Sequence, residues 1–91
     1  MNTVFQIPRI LQQYGDGRIE FRLNGATVRA VLEELERDHP AIHQSICNET
    51  GALRRHIHLF VNDNIICGAK DLDTPLESGD IVSVFQAVSG G

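Results

Sequence analysis

The sequence is poor in cysteine and in basic residues, and each shortage excludes a class of protein. Among its 91 residues there are 2 cysteines, Cys47 and Cys67, and they form no CxxC pair. A small secreted domain held together by disulfides would carry more, so we expect two reduced thiols in a cytoplasmic protein. Lys and Arg number 8 against 12 Asp and Glu, which gives a formal net charge of −4. Because phosphate binding needs a basic surface, nucleic acid is not expected as a partner.

Long apolar segments are also missing. No run approaches the ~20 apolar residues of a membrane-spanning helix, and residues 1–4 lack the basic start and apolar stretch of a signal peptide. We therefore expect no membrane partner. Hydrophobic residues make up 42% of the chain and charged residues 22%, which is ordinary for a globular protein. The length predicts a single domain over residues 1–91.

Alternating apolar and polar residues predict five strands. They cover residues 3–7, 19–23, 56–61, 65–67 and 81–88. A turn signal over residues 14–17 separates the first two strands, which we interpret as a hairpin. In the second strand, Ile19, Phe21 and Leu23 are expected to face the core. In the last strand the inward positions are Val82 and Val84.

Residues 27–39 have the pattern of a long helix. Its apolar residues recur at the spacing of one helical face, namely Val28, Val31, Leu32 and Leu35. Thr27 is expected to cap its start, and Pro40 is expected to end it. Residues 42–46 predict a short helical turn, and residues 71–76 a single-turn helix. Because strands and helices do not alternate, we predict an α+β fold: a mixed sheet with one main helix packed across one face. Pairing of the last strand with the first would make the last strand central.

The last two residues, Gly90 and Gly91, follow directly on the final apolar run, and we expect Gly91 to be the carboxyl terminus. Glycine has no side chain and accepts backbone angles that other residues avoid, so such an end fits a narrow channel and presents its carboxylate there. Small residues are also common at termini without any function. The Gly90-Gly91 pair therefore indicates a function only if the rest of the chain fits a carrier protein.

An ordered set of segments resembles the ubiquitin-like sulfur-carrier proteins, the ThiS/MoaD family. These segments are VND at 61–63, LDTPL at 72–76, GD at 79–80 and AVSGG at 87–91. Two further segments, IPRIL at 7–11 and LRR at 53–55, are similar to the branch that supplies sulfur for cysteine biosynthesis. The resemblance covers nearly the whole chain. One departure is Gln86, which stands where family members often have proline, so we expect the strand to continue one residue further.

The resemblance implies a β-grasp fold with a flexible tail at residues 88–91, and a chemistry at that tail. In the family an E1-like enzyme adenylates the terminal carboxylate with ATP, and sulfur then replaces the activated oxygen to give a thiocarboxylate. This assigns the reacting carboxylate to Gly91, next to Gly90, and implies a co-substrate without a cofactor, not an enzyme. The implied partners are the E1-like adenylating and sulfurtransferase enzyme, a downstream sulfur acceptor such as a cysteine synthase, and a JAMM-type metalloprotease.

Three other functions stay open at this point. The small subunit of molybdopterin synthase would insert the same thiocarboxylate tail permanently into a large catalytic subunit, although the longer stretch at residues 41–55 argues against it. A ubiquitin-like protein modifier would be joined through Gly91 to lysines of its targets. A β-grasp binding module with an idle tail would keep its function after deletion of Gly91.

Outward-facing residues near the end of the last strand are candidates for partner binding. Under the predicted register Phe60, Phe85 and His58 share the outer face, and clustered exposed aromatic side chains are typical of a docking patch. The alternative is that a loop covers one of the rings, since single exposed apolar residues are common. The candidate partner-binding residues are Phe60, Phe85, Ala87, Val88 and Ser89.

The remaining reactive side chains predict no site. His56 and His58 lie two apart on one strand and supply two ligands where zinc needs three or four, so we predict no metal site. Cys67 is interpreted as a packing residue of a strand. Cys47 is interpreted as an exposed thiol in a loop region, without a function.

Overall fold

A computed structural model describes residues 2–66 and 72–86 of the chain. The elements within these residues are β1 (Asn2–Gln6), a 3-10 helix (Arg9–Gly15), β2 (Glu20–Asn24), α1 (Val28–Asp38), α2 (Pro40–Ile46), β3 (Ile57–Val61), β4 (Asn64–Ile66) and β5 (Ile81–Gln86). No helix in this part of the chain is long and apolar enough to cross a membrane.

The strands form one mixed sheet in the order β2-β1-β5-β3-β4. β1 and β5 are parallel, with Phe5 opposite Val82, and the other neighbouring strands are antiparallel. The last strand therefore lies at the centre of the sheet and pairs with the first, as predicted. The α+β prediction is confirmed.

α1 covers one face of the sheet because its apolar residues lie on one side. Its four predicted core residues are buried in the same cluster as Phe5, Leu59 and Val82. The Thr27 hydroxyl accepts a hydrogen bond from the Ala30 N–H at 3.1 Å, which confirms the predicted cap. The helix ends at Asp38, and Pro40 then opens α2, a position where its missing N–H is not needed.

Two predictions between β1 and α2 need correction. The prediction that Ile19 faces the core is wrong, because Ile19 is 41% exposed. β2 begins at Glu20, so Ile19 lies just before the strand. Its carbonyl still accepts a hydrogen bond from the Ile7 N–H, but its side chain stands at the end of the sheet. The short turn predicted at residues 42–46 is the seven-residue helix α2, which buries Ile42 and Ile46. The 3-10 helix inside the predicted hairpin buries Leu11 and was not predicted.

The segment before β5 anchors the start of α1. Leu72 and Asp73 form a 3-10 turn, within the range predicted to be helical. The Thr74 carbonyl accepts from the Val28 N–H at 3.1 Å, and the Leu76 N–H donates to the Ala26 carbonyl at 2.8 Å. Residues 67–71, with Cys67, and residues 87–91 lie outside the described residues.

Candidate partner-binding face

The outer face of the sheet is the face opposite the helices, and side-chain alternation decides which residues reach it. In β3, Leu59 is buried while His58 and Phe60 point outward. In β5, Val84 is buried while Phe85 points outward. Since β3 and β5 are hydrogen-bonded neighbours, their outward side chains stand side by side. The prediction that His58, Phe60 and Phe85 share one face is confirmed.

An apolar cluster, which we call the outer patch, lies on this face and consists of Phe60, Ile65 and Phe85. The rings of Phe60 and Phe85 meet edge to face, with centroids 5.0 Å apart and an interplanar angle of 79°, a favourable geometry for aromatic pairs. Ile65 lies opposite Phe60 on β4. Phe85 is 53% and Ile65 48% exposed, so the patch presents apolar surface to solvent. Its role in partner binding remains a prediction.

Asn62 fixes the strands that carry the outer patch. It adopts a left-handed backbone conformation with φ 54°, which asparagine tolerates better than most residues, and it begins the turn from β3 to β4. Its N–H donates to the Ile81 carbonyl at 2.7 Å, and its side-chain oxygen accepts from the Ile81 N–H at 3.1 Å. Its side-chain amide donates to Asp80 at 3.2 Å. One residue thus links the β3–β4 turn to the start of β5.

The outer patch lies beside the end of β5. Phe85 is the second-last residue of β5, and the strand continues through Gln86, as expected from the absence of proline there. Gln86 lies opposite Ile57, and its buried side-chain oxygen has no hydrogen-bond partner among the described residues. The predicted tail residues Ala87, Val88, Ser89, Gly90 and Gly91 lie outside the described residues.

The described histidines and carboxylates do not form a metal centre. Within residues 2–66 and 72–86, no group of three or more His, Cys, Asp or Glu side chains is arranged to hold a metal ion. His56 and His58 are both exposed. His58 lies on the face of the sheet that also carries the outer patch, whereas His56 lies in the turn before β3.

Cys47 is buried, so the prediction of an exposed thiol in a loop is wrong. It is the residue that ends α2, its N–H donates to the His43 carbonyl at 2.8 Å, and it is 1% exposed. The physical reason is that Cys47 directly follows the buried Ile46 at the end of α2, and a backbone bridge then pairs Cys47 with Leu53. Burial raises the pKa of the Cys47 thiol from 9.0 to about 11, although nearby Arg54 opposes the shift.

We expect Cys47 to resist alkylation in the folded protein because the thiolate is the reactive form. In a Cys67→Ser variant, where Cys47 is the only thiol, iodoacetamide at about pH 8 should react slowly until urea unfolds the chain. Because the folded-state pKa is raised, the unfolded chain releases this proton first. The free energy of unfolding should therefore fall as the pH rises from about 9 to about 11. Equal alkylation rates with and without urea would contradict the burial.

The fold defines the class of this protein. A mixed five-stranded sheet crossed by one main helix, with the last strand at its centre, is the ubiquitin-like β-grasp fold. The model of the ThiS family matches residues 3–91, and the chain belongs to that family.

Individual relatives share the whole chain or most of it. The chain is 31% identical to the sulfur carrier protein CysO of Mycobacterium tuberculosis over 93 aligned positions, which cover 100% of both chains. It superimposes with a TM-score of 0.84 and 29% identity on a chain from the crystal structure of the Amycolatopsis orientalis BexX/CysO complex, covering 98% of this chain and 99% of that one. It is 33% identical to small archaeal modifier protein 3 of Haloferax volcanii over 66 residues, 72% of this chain and 71% of the relative.

Proposed function

We propose that the protein is a sulfur carrier whose terminal carboxylate, at Gly91, is converted to a thiocarboxylate that supplies sulfur for cysteine biosynthesis. The observation that carries the proposal is the full-length similarity to a protein named as a sulfur carrier. Membership of the ThiS family supports it. So does the position of β5, because this strand ends beside the outer patch and the AVSGG segment follows it in the sequence.

The proposed chemistry takes place at the main chain of the tail. A carboxylate is a poor acyl donor, so an E1-like enzyme would join the Gly91 carboxylate to AMP from ATP and release pyrophosphate. A sulfur nucleophile then attacks the acyl carbon, AMP leaves with the bonding electron pair, and a thiocarboxylate results. A cysteine synthase is the proposed sulfur acceptor, and a JAMM-type metalloprotease would release the product. In this scheme the carrier is a co-substrate and its partners are the catalysts.

The proposal gives the outer patch and the tail separate roles. Phe60 and Phe85 dock on the activating enzyme, because exposed aromatic side chains supply large apolar contact area at little cost in conformational entropy. Ala87, Val88 and Ser89 would then extend into the enzyme. Gly90 and Gly91 have no side chains to obstruct a narrow channel.

The intact mass of the protein isolated from its native host tests the proposal. We expect a species in which one sulfur replaces one oxygen, and a second species heavier by one cysteine residue. The first species would support the carrier function and the second the pathway. If the unmodified mass persists even with an activating enzyme and ATP present, the sulfur-carrier proposal is wrong and a binding module with an idle tail replaces it.

Truncation of the outer patch should weaken activation more than folding. We expect Phe85→Ala to lower kcat/KM for adenylation by about tenfold, or ~1.4 kcal/mol, as for an interface residue whose truncation costs more than about 1 kcal/mol. The side chain is already 53% exposed, so its loss should cost the fold only about 0.5–1.5 kcal/mol through the lost aromatic pair. Steady-state adenylation assays and thermal melts measure the two effects.

Ile10→Ala is the matched control for Phe85→Ala. Ile10 is 64% exposed and lies on the 3-10 helix between β1 and β2, away from the outer patch. Its truncation should leave kcat/KM unchanged. An equal loss in both variants, or no loss in Phe85→Ala, would show that the outer patch is not the docking surface.

A second candidate function is conjugation of Gly91 to target lysines. The similarity to small archaeal modifier protein 3 favours it. Isopeptide-linked adducts of this chain in a host lysate, identified by peptide mass spectrometry, would mark a modifier. A thiocarboxylate without adducts would mark a carrier.

A further inference from the structure

β2 leaves an open edge on the side of the sheet away from the outer patch. The Ile7 N–H donates to the Ile19 carbonyl at 2.9 Å, so these opposed residues form a hydrogen-bonded pair. Hydrogen-bonded and non-hydrogen-bonded pairs alternate along an antiparallel ladder. The N–H and C=O groups of Glu20 and Arg22 therefore point away from β1.

Two other contacts agree with this assignment. The Val4 N–H, opposite Arg22, donates to the Asp80 carbonyl at 2.9 Å and so points toward β5. The Asn24 N–H points outward from β2, where the Glu34 carboxylate of α1 accepts its hydrogen bond. Glu34 closes the edge at Asn24. Within the described residues, no hydrogen bond reaches the outward N–H of Glu20 or Arg22.

A recess of about 370 Å³ lies beside this edge and is lined by Arg18, Glu20, Phe21, Arg22 and His39. The Arg18 guanidinium lies over the Phe21 ring, 5.0 Å from its centroid. The His39 ring packs against the same Phe21 ring, with the two ring centroids 4.7 Å apart. Phe21 thus supports a cation and an imidazole from two separate segments of the chain.

The recess is a positive region on an acidic protein. The chain has a formal net charge of −4, yet neither Arg18 nor Arg22 forms an ion pair with a described carboxylate. Glu20 accepts a hydrogen bond from the Gln6 side chain at 3.4 Å, which draws its carboxylate toward β1. The two guanidinium groups are left to bind a ligand's carboxylates.

We propose that the β2 edge binds an extended, acidic segment of a partner protein, which pairs with the backbone of Glu20 and Arg22 as an additional strand. Main-chain hydrogen bonds would hold the segment. Its carboxylates would contact the guanidinium groups of Arg18 and Arg22, which suit carboxylate geometry. This interaction goes beyond the proposed sulfur carriage, since β1 lies between β2 and β5 in the sheet.

The test uses a synthetic peptide of alternating glutamate and valine, about eight residues long, titrated into the 15N-labelled full chain. We expect amide shifts at residues 18–24 and at His39, slower amide exchange at Glu20 and Arg22, and no shifts at Phe60 or Phe85. Affinity should fall as salt is raised, because exposed charges are screened. Absence of binding at low salt would overturn the proposal.

Three controls separate strand pairing from simple charge attraction. An Arg18→Gln/Arg22→Gln variant should bind at least about tenfold more weakly, whereas Arg55→Gln, at an exposed position outside the recess, should bind normally. A peptide N-methylated at the amides that face β2 should lose binding, and a lysine–valine peptide should not bind. If the N-methylated peptide binds as well as the parent, or if the chain alone forms a dimer through this edge in sedimentation experiments, the proposal is wrong.

Discussion

Deletion of Gly91 is expected to abolish formation of the thiocarboxylate and to leave the melting temperature unchanged. The deletion moves the terminal carboxylate back by one residue, about 3.3–3.6 Å, away from the position where the activating enzyme would attack it. The last buried residue of β5 is Val84, 3% exposed, so the deletion removes no described core contact. Intact mass after incubation with the activating enzyme, ATP and a sulfur source measures loading, and a thermal melt measures folding.

A variant with one glycine added after Gly91 is the control for tail length. It keeps a glycine carboxylate but displaces it in the other direction, and it should also fail to load. Failure of both variants would show that loading depends on the position of the carboxylate as well as on its being a glycine carboxylate. A deletion variant that still loads fully would contradict the assignment of Gly91 as the reacting residue.

Phe5→Ala is expected to lower the free energy of unfolding by about 3–5 kcal/mol. Phe5 is fully buried and lies in β1 between Phe21 of β2 and Val82 of β5, so truncation leaves a cavity in the middle of the sheet's inner face. Domains of this size are stable by about 5–15 kcal/mol in total. Urea denaturation, with the midpoint and slope fitted together, measures the change.

The control for this loss is again Ile10→Ala, which removes an apolar side chain that is already exposed. Its effect should lie within about 0.5 kcal/mol of zero. A loss below about 1 kcal/mol in Phe5→Ala would mean that the core collapses around the cavity more completely than such sites usually do.

Most of the fold was predictable because local periodicity and tertiary burial agree. The apolar face of α1, the cap at Thr27 and the inward positions Val82 and Val84 all follow from patterns within single segments. Ile19 is exposed although it continues the alternation of β2, because an alternating pattern does not show where a strand ends. The 3-10 helix at Arg9–Gly15 was missed because its one buried apolar residue, Leu11, gives no period to detect.

The candidate site was predictable in part. The shared face of Phe60 and Phe85 followed from the alternation of inward and outward side chains along β3 and β5. Ile65 was missed because its place depends on the register of the β3–β4 turn, which the left-handed conformation of Asn62 helps to set. Burial of Cys47 depends on the backbone bridge that pairs it with Leu53, and no periodicity in this stretch of the sequence predicts that bridge.

The recess at the β2 edge could not be predicted from the sequence. Its central contacts join Arg18 and Phe21 to His39, which lies beyond the end of α1. No pattern within one segment brings these residues together. Only the packing of α1 against β2 does so.

The central position of β5 has a consequence for synthesis on the ribosome. β5 is the last of the described strands to be made, and it joins β1 to β3, so the β1–β2 pair and the β3–β4 pair stay separate until residues 81–86 leave the exit tunnel. Long-range pairing of this kind is slow to form and leaves unpaired strands exposed meanwhile. A nascent chain halted before β5 therefore cannot complete its sheet. The segment that carries Gly91 emerges only after β5, the strand that completes the sheet.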